Sequence, residues 1–369
     1  MAPILWLGTY ERSYPRTAVL IRGLRELGEP VAERHEPVWE QEPHKAGDFL
    51  APLPLARAAG RLAGAWARLA ASVANGPRPR AVVAGYPAQP DAPFAWACAR
   101  GRRVPLVVDM MISLVDTLGG DRGRASGASA AALAGLDRLT LRAASLAIVD
   151  TDANAAFLAR RFGVPRASLA VVPVGADPDL FAPRPPRPGP PLALFYGKLA
   201  PLHGLETVLE AVRRPGVPRV RLIGSGQLGA WLERELARDR PTGLEHAKWV
   251  PYGRLGDELA AASIALGVFG TSDKASRVVP NKVWQALAAR RAVITADTPA
   301  AREVLSDGRD ALLVTPGDPD ALAVALRRLG EDPELRGRLA AAGRRRYEQL
   351  GTPRAVATRF RDALAEVAA

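Results

Sequence analysis

Short apolar runs alternate with amphipathic segments twice along this chain, and this repeated alternation restricts its fold more than any other feature. In the first series, the runs Ile4–Leu7, Ala81–Ala84 and Val104–Asp109 are each followed by a predicted helix, and Leu146–Asp150 is a further predicted strand. Short apolar runs between helices are typical of strands that are buried on both faces of a parallel sheet. The pattern therefore predicts an α/β fold with doubly wound parallel sheets.

A proline-rich segment separates the two series. Residues 182–191 read APRPPRPGPP, and this composition excludes a helix or a central strand and stiffens the chain. Beyond it the alternation restarts at Leu192, and 369 residues are enough for two domains. We predict a first domain over 1–182, a linker over 183–191, a second domain over 192–352, and a C-terminal helix over 353–369.

Composition excludes several classes of protein. Apolar residues make up 48% of the chain, so it is not disordered, and Cys98 is its only cysteine, so it has no internal disulfide. The net charge of +12 comes from arginines scattered among alanine, proline and glycine, without the aromatic residues that a nucleic-acid platform needs. We therefore expect no nucleic-acid partner, and an anionic substrate or membrane surface instead.

Two segments bear on whether the chain is secreted or contacts a membrane. Glu11 and Arg12 follow the first apolar run too closely for a secretory leader, which predicts a cytoplasmic protein that can also lie at the inner face of the membrane. The segment 54–75 is amphipathic. Its apolar side carries Leu55, Leu62, Trp66 and Leu69, and its opposite side carries Arg57, Arg61 and Arg68. Such a helix either contacts an anionic membrane or packs its apolar side on the first domain.

Three cations surround a predicted helix start in the segment TSDKASRVVPNKVWQ. Asn281 is a good N-cap, Lys282 would lie in the first turn, and Lys274 and Arg277 precede it in the loop. A helix N-terminus with nearby cations predicts a phosphate site, and the alternative is a solvated basic loop. Lysine favours the phosphate site, because the chain has only five lysines among its 50 Lys and Arg residues.

Two further turns between a strand and a helix can also hold phosphate. The segment 196–204 carries Lys198 and His203 near a helix start, so that backbone N–H groups and a cation would meet there. Gly224 and Gly226 form the next such turn, although a GxG pattern alone is weakly informative.

Taken together, these motifs resemble the donor half of a family 4 glycosyltransferase of the GT-B fold. The segments that carry the resemblance are FYGKLAPLHGLETVLEAV, VRLIGSGQL and VPNKVWQALAARRAVITADTPAAREVLSDGRDALLVTPGDPDALAVAL, preceded by VVPVGADPDLF. It covers residues 146–348 well and the first half of the chain more loosely. It implies two Rossmann-like domains facing across a cleft, with the nucleotide-sugar on the second, the acceptor on the first, and the C-terminal helix returning to the first.

The resemblance also implies roles for particular residues. Lys198 matches a basic residue that contacts the donor pyrophosphate, and His203 stands where the family usually has a second phosphate-binding lysine. Gly8 matches the glycine loop by which the first domain approaches the donor phosphates. The segment 251–254 falls beside the expected nucleobase, and Asp109 falls near the position of a histidine that meets the donor sugar.

The chain departs from the family at a pair of glutamates separated by seven residues, which are Arg277 and Gln285 here. Gln285 can hydrogen-bond a ribose hydroxyl, whereas Arg277 cannot accept from a sugar hydroxyl and could instead hold a phosphate or a carboxylated donor. Two alternatives follow: an active divergent subgroup, or a decayed module that binds a nucleotide-sugar or a protein partner. A related epimerase is disfavoured, because no paired carboxylates lie beside the phosphate loops.

The leading hypothesis is a retaining glycosyltransferase that needs no metal and uses a UDP- or GDP-sugar. Its acceptor would be lipid-linked, a polysaccharide or a small molecule. Neither DxD sequence, Asp177–Asp179 nor Asp318–Asp320, ends a predicted strand, so positive side chains would stabilise the leaving diphosphate. Asp109 and Asp116 are candidate bases. The predicted catalytic residues are Asp109, Lys198 and Lys282. The predicted donor-binding residues are Gly8, Lys198, His203, Gly224, Lys274, Arg277, Asn281, Lys282 and Gln285.

Overall fold

The computed structural model describes residues 2–39, 52–74, 76–185 and 188–368. It divides the chain into two compact units, Met1–Pro173 with Pro353–Ala369, and Val174–Thr352. The segment 174–182, predicted as part of the first domain, thus belongs to the second unit. Its contacts explain why, because the Tyr347 hydroxyl donates to the Ala176 carbonyl at 2.9 Å and the Phe181 ring packs edge-on against Tyr252.

The first unit is built on a parallel sheet of six strands in the order β2-β1-β3-β4-β5-β6. Its strands are β1 (Ile4–Gly8), β2 (Val31–His35), β3 (Ala81–Ala84), β4 (Leu106–Asp109), β5 (Leu146–Val149) and β6 (Leu169–Val171). Its first five helices are α1 (Pro15–Glu26), α2 (Pro52–Ala74), α3 (Ala92–Arg102), α4 (Gly127–Ala143) and α5 (Asp152–Phe162). The central strands β1, β3, β4 and β5 are buried along their whole length, as expected for strands with helices on both faces.

The second unit is also a six-stranded parallel sheet, in the order β12-β11-β10-β7-β8-β9. Its strands are β7 (Leu192–Tyr196), β8 (Arg219–Ile223), β9 (Leu244–Ala247), β10 (Ile264–Leu266), β11 (Ala292–Ala296) and β12 (Leu312–Val314). Its helices are α6 (Leu205–Val212), α7 (Gly229–Arg238), α8 (Leu255–Ala261), α9 (Asn281–Ala288), α10 (Pro299–Val304), α11 (Pro319–Glu331) and α12 (Pro333–Leu350). The fold class predicted from the sequence, two doubly wound parallel α/β sheets, is confirmed.

The last helix, α13 (Pro353–Ala368), returns to the first unit and packs against α1, as predicted. Phe360 and Leu364 of α13 are buried in the same apolar cluster as Leu20 and Leu24 of α1. The helices approach so closely at Gly23 that a Cβ there would lie 1.8 Å from the Pro353 carbonyl oxygen. Glycine is therefore required at this position for the contact to form.

Helix α2 covers the amphipathic segment, and its apolar side is used within the first unit. Leu69 and Val73 are buried, and the Trp66 ring stacks on Phe94 with their centroids 5.9 Å apart. The side chain of Leu55, together with Asn75, lies outside the described residues. The predicted basic side is exposed at Arg57, Arg61 and Arg68. No helix in the described ranges is long and apolar enough to cross a membrane.

We predict that Gly23→Ala destabilises the first unit by about 1–3 kcal/mol, because the new methyl group overlaps the Pro353 carbonyl. Urea denaturation followed by circular dichroism measures this change. Gly135→Ala in α4 is the matched control, since a Cβ there meets nothing within 4 Å. It should instead stabilise by about 0.5–1 kcal/mol, as expected for alanine in a helix interior. Equal effects of the two substitutions would refute the close α1–α13 packing.

Candidate functional site

In the second unit, the strand order reverses between β7 and β10, the place where open α/β sheets bind ligands at their carboxyl ends. Gly197 follows β7 with φ +142°, and Gly224 follows β8 with φ +154°. A Cβ on Gly224 would lie 2.0 Å from the Gly197 carbonyl oxygen. Only glycine lets these two loops touch through their backbones and leave space above the strand ends.

Lys282, the second residue of α9, places its ammonium group beside these loops. Its Nζ lies 4.2 Å from the centroid of the Phe195 ring, and a Cβ on Gly197 would lie 3.3 Å from that Nζ. Lys282 is only 6% exposed, and within the described part of the chain its Nζ has no hydrogen-bond partner. A cation is therefore buried without a carboxylate.

His203 borders the same space. Its Cε1 lies 3.2 Å from the position of a Cβ on Gly197, and its ring meets Phe195 edge-on with centroids 6.3 Å apart. We call the space bordered by Phe195, Gly197, His203 and Lys282 the Lys282 pocket. The sequence motifs after β7 and at the start of α9 thus meet at one place, although 84 positions separate Lys282 from Lys198 in the chain.

Burial lowers the pKa of the Lys282 ammonium to about 7. The ring of Phe195 attracts the cation and offsets part of the lost hydration, but a ring supplies only about 2 kcal/mol. An anion in the Lys282 pocket would supply the missing charge and raise the pKa again. The pocket is chemically suited to a diphosphate.

The other predicted cations differ in their surroundings. Lys274 and Arg277 are buried, but the Arg277 guanidinium donates through Nε and Nη2 to Asp273 at 3.2 and 3.0 Å, which neutralises part of its charge. Lys198 is exposed in the loop after β7. The expectation that Asn281 is an N-cap is wrong. The N-cap position is Pro280, because the helix begins one residue earlier than expected.

Gln285 is held between two tyrosines. The buried Tyr196 hydroxyl donates to its Oε1 at 2.8 Å, and its Nε2 donates to the Tyr252 hydroxyl at 3.2 Å. Gln285, predicted to hydrogen-bond a ribose hydroxyl as donor and acceptor, thus already makes one hydrogen bond through its amide oxygen and one through its amide nitrogen. Gln285 connects β7 to the 3₁₀ turn Tyr252–Arg254, within the segment predicted beside the nucleobase. Both tyrosines lie in segments predicted to border the donor, but nothing in the local sequence indicates their contacts with Gln285.

In the first unit, Asp109 ends β4 and forms a buried ion pair. The Arg16 Nε donates to both carboxylate oxygens at 2.7 and 3.0 Å, and Arg16 also donates to the Val172 carbonyl at 2.6 Å. Burial raises the pKa of Asp109, while Arg16 opposes that shift. Asp109 is 4% exposed, so it is not presented at the strand end as a substrate contact requires. The other candidate base, Asp116, begins a π-helical turn that ends at Asp121.

Gly8 ends β1 and adjoins a buried carboxylate. A Cβ there would lie 2.4 Å from Asp91 Oδ2, which accepts from the Thr9 backbone N–H and hydroxyl at 2.6 and 2.9 Å. Packing against Asp91 is therefore enough to require this glycine. Within the described ranges, no group of three or more His, Cys, Asp or Glu side chains is arranged to hold a metal. In the two DxD segments, Asp177 and Asp318 accept backbone N–H groups of their own turns.

Comparison with known proteins gives two family matches. Residues 15–175 match the glycosyl transferase 4-like domain, and residues 204–362 match a model described as glycosyl transferase-like. A curated relative, the MMP alpha-(1->4)-mannosyltransferase of Mycolicibacterium hassiacum, is 29% identical over 59% of this chain and 54% of its own. The chain spans about half the length of the curated relatives it matches.

Two solved structures resemble almost the whole chain. Sucrose-phosphate synthase of Thermosynechococcus elongatus has a TM-score of 0.76 and 16% identity, covering 100% of this chain and 99% of its own. HepE of Anabaena, solved with UDP-glucose, has a TM-score of 0.71 and 16% identity, covering 99% and 100%. At this identity the likeness shows the GT-B fold alone.

We predict that UDP binding is accompanied by proton uptake at Lys282. Its pKa is about 7 in the free protein, and a bound diphosphate raises it, so the contribution of the ammonium to affinity is fully present below pH 7. Above that pH the contribution is lost, and affinity should fall about fivefold between pH 7 and 8. Calorimetry in two buffers of different ionisation enthalpy measures the uptake.

Lys282→Met should remove both the proton uptake and the pH dependence, and Lys198→Ala should retain them, since Lys198 is exposed. The terminal phosphate of UDP is already ionised above pH 7, so it adds little to the trend. Binding that neither takes up protons nor weakens above pH 7 would contradict a buried, unpaired Lys282.

We predict that Gln285→Leu destabilises the second unit by about 1–3 kcal/mol, because it leaves the buried Tyr196 hydroxyl without its acceptor. Adding Tyr196→Phe removes that stranded hydroxyl, and the double variant should recover most of the loss. Urea denaturation measures both values. If Tyr196→Phe brings no recovery in the Gln285→Leu background, the hydrogen bond between them does not stabilise the unit.

Proposed function

We propose that this chain, whose residues 15–175 and 204–362 match two glycosyl transferase models, transfers a sugar from a nucleoside-diphosphate sugar to an acceptor hydroxyl group. The observation that carries the proposal is the buried ammonium of Lys282, 4.2 Å from the Phe195 ring and without a hydrogen-bond partner among the described residues. The diphosphate that leaves in this reaction is an anion that could occupy the Lys282 pocket. The acceptor would be lipid-linked, a polysaccharide or a small molecule.

In the proposed reaction, the bond between the anomeric carbon and the diphosphate oxygen breaks as the acceptor oxygen bonds to the same carbon. Negative charge develops on the departing diphosphate oxygen, which accepts the proton that the acceptor hydroxyl loses. Lys282 would stabilise that charge from a fixed, dehydrated position, which costs no reorganisation during the step. Lys198, exposed in the loop after β7, would contact the same diphosphate from the solvent side.

Further details of the proposal come from the family resemblance. Transfer would retain the anomeric configuration and would need no metal ion, with positive side chains and helix N-termini acting on the diphosphate instead. His203, Gly224 and Asn281 would line the donor site. Asp109 would position Arg16 rather than act as a base, because both of its oxygens accept from that side chain.

The relatives indicate several candidate donor sugars, which must be compared by experiment. HepE was solved with UDP-glucose, and the curated relative is named as a mannosyltransferase. UDP- and GDP-sugars should therefore be compared by the increase in melting temperature that each produces, since a ligand of the native state stabilises it by mass action.

We predict that Lys282→Ala lowers kcat/KM for the best donor by about a hundredfold or more, the usual effect of removing one preorganised charge contact. Release of the nucleoside diphosphate measures turnover, with and without candidate acceptors. Lys248→Ala is the matched control, because that lysine is exposed and pairs with Glu233 at 2.6 Å. It should leave kcat/KM unchanged.

The competing hypothesis, a decayed module that only binds a nucleotide-sugar, predicts donor binding without turnover by any sugar of the panel. Turnover that Lys282→Ala abolishes excludes that module. Turnover that Lys282→Ala leaves intact would overturn the assignment of the leaving-group site to the Lys282 pocket.

A further inference from the structure

Helix α3 exposes a large aromatic side chain beside cations. Trp96 is 44% exposed, and the Arg100 guanidinium lies 5.7 Å from the centroid of its ring. Arg103, directly after α3, is also exposed. Trp96 and Arg100 are four residues apart and lie on one face of α3. Arg103, left-handed at the end of the helix, borders the same cavity as these two residues.

The neighbouring helix α4 adds an exposed apolar residue. Leu139 is 68% exposed, and Arg142 and Ala143 follow it at helical spacing on the same face. Ala143 and Trp96 line one open cavity of about 620 Å³, together with Arg100 and Arg103. We call Trp96, Arg100, Arg103, Leu139 and Arg142 the Trp96 surface.

The charges of the Trp96 surface have no carboxylate partner among the residues that the structure describes. Many exposed arginines of the chain have a carboxylate partner, as Arg68 has Glu36 at 2.9 Å and Arg302 has Asp297. By contrast, Arg100, Arg103 and Arg142 form no ion pair with any residue the structure describes. No acidic residue lines the cavity. The surface therefore combines exposed apolar groups with uncompensated positive charge.

The position of the cavity separates it from the strand ends where ligands of α/β sheets bind. It is bounded by Leu106, the first residue of β4, and by Ser145, directly before β5. These are the amino ends of the strands, whereas Asp109 and Asp150 lie at the carboxyl ends of the same two strands. An occupant of the Trp96 surface leaves the carboxyl edge of this sheet open.

We propose that the Trp96 surface docks the first unit on an anionic phospholipid bilayer. The side chains of Trp96 and Leu139 enter the interfacial layer, where an amphipathic indole ring is favoured. The three arginines contact lipid phosphates, each contributing to attraction by a negatively charged leaflet. In helix α2, the membrane candidate of the sequence, Leu69 and Val73 are buried in the first unit, whereas Arg57, Arg61 and Arg68 are exposed.

Sedimentation of the full chain with vesicles tests the proposal. Vesicles of phosphatidylglycerol and phosphatidylcholine should bind the protein at low ionic strength, release it at high salt, and bind at least tenfold more tightly than phosphatidylcholine alone. Arg100→Glu with Arg103→Glu should weaken this binding at least tenfold. Arg57→Glu with Arg61→Glu on α2 is the matched control, which changes the net charge equally and should weaken binding less than threefold.

Insertion of the Trp96 indole ring into the bilayer can be measured by fluorescence quenching, which electrostatic attraction alone does not cause. Brominated lipids should quench the fluorescence of Trp96, which is identified as the part of the signal that Trp96→Phe removes. They should not quench the fluorescence of Trp249, an exposed tryptophan of the second unit whose signal Trp249→Phe removes. Unchanged melting temperatures and UDP affinity of the variants verify that they fold.

Three results would overturn the proposal: no binding to anionic vesicles, equal weakening by the two arginine pairs, or no quenching of Trp96. Binding without quenching would instead indicate that the surface recognises an acidic macromolecule. Because the measurements use no sugar donor, they can fail while the proposed transferase activity stands.

Discussion

The burial of Lys282 without a carboxylate partner in the described part of the chain is the constraint on which the candidate site depends. An isolated ammonium is costly to remove from water, and its lowered pKa of about 7 reflects that cost. The second unit tolerates it because the lysine begins α9, whose remaining residues are buried and hold its backbone in place. The glycine loops after β7 and β8 then keep the space around the ammonium open. The unit is thus built around a charge that an incoming ligand is expected to balance.

Sequence reasoning located the backbone of this site well and its side-chain partners poorly. The strand ends, the turns at Gly197 and Gly224, and the place of Lys282 in the first turn of α9 follow from local periodicity and from glycine. The side-chain partners that come from distant positions in the chain cannot be predicted in this way. Arg16 lies 93 positions from Asp109, and Tyr196 lies 89 positions from Gln285. No local pattern identifies such pairs, so carboxylates and amides predicted as substrate contacts are instead bound within the protein.

The unit boundary shows the same limit. A run of prolines marks where the backbone is stiff, and the prediction placed the domain change there. The chain joins the second unit earlier, at Val174, since the carbonyl of Ala176 accepts from the Tyr347 hydroxyl. Which unit a residue belongs to depends on its tertiary contacts, and a proline-rich segment does not indicate those contacts.

The packing of α13 against α1 has a consequence for biosynthesis. The core of the first unit includes Phe360 and Leu364, which are translated only after every residue of the second unit. Domains generally fold as the ribosome releases them, but helix α13 cannot cover the side of α1 around Leu20 and Leu24 until synthesis ends. The second unit, contiguous from Val174 to Thr352, can complete its own core first. The first unit can therefore complete its core only after the whole of the second unit has been translated.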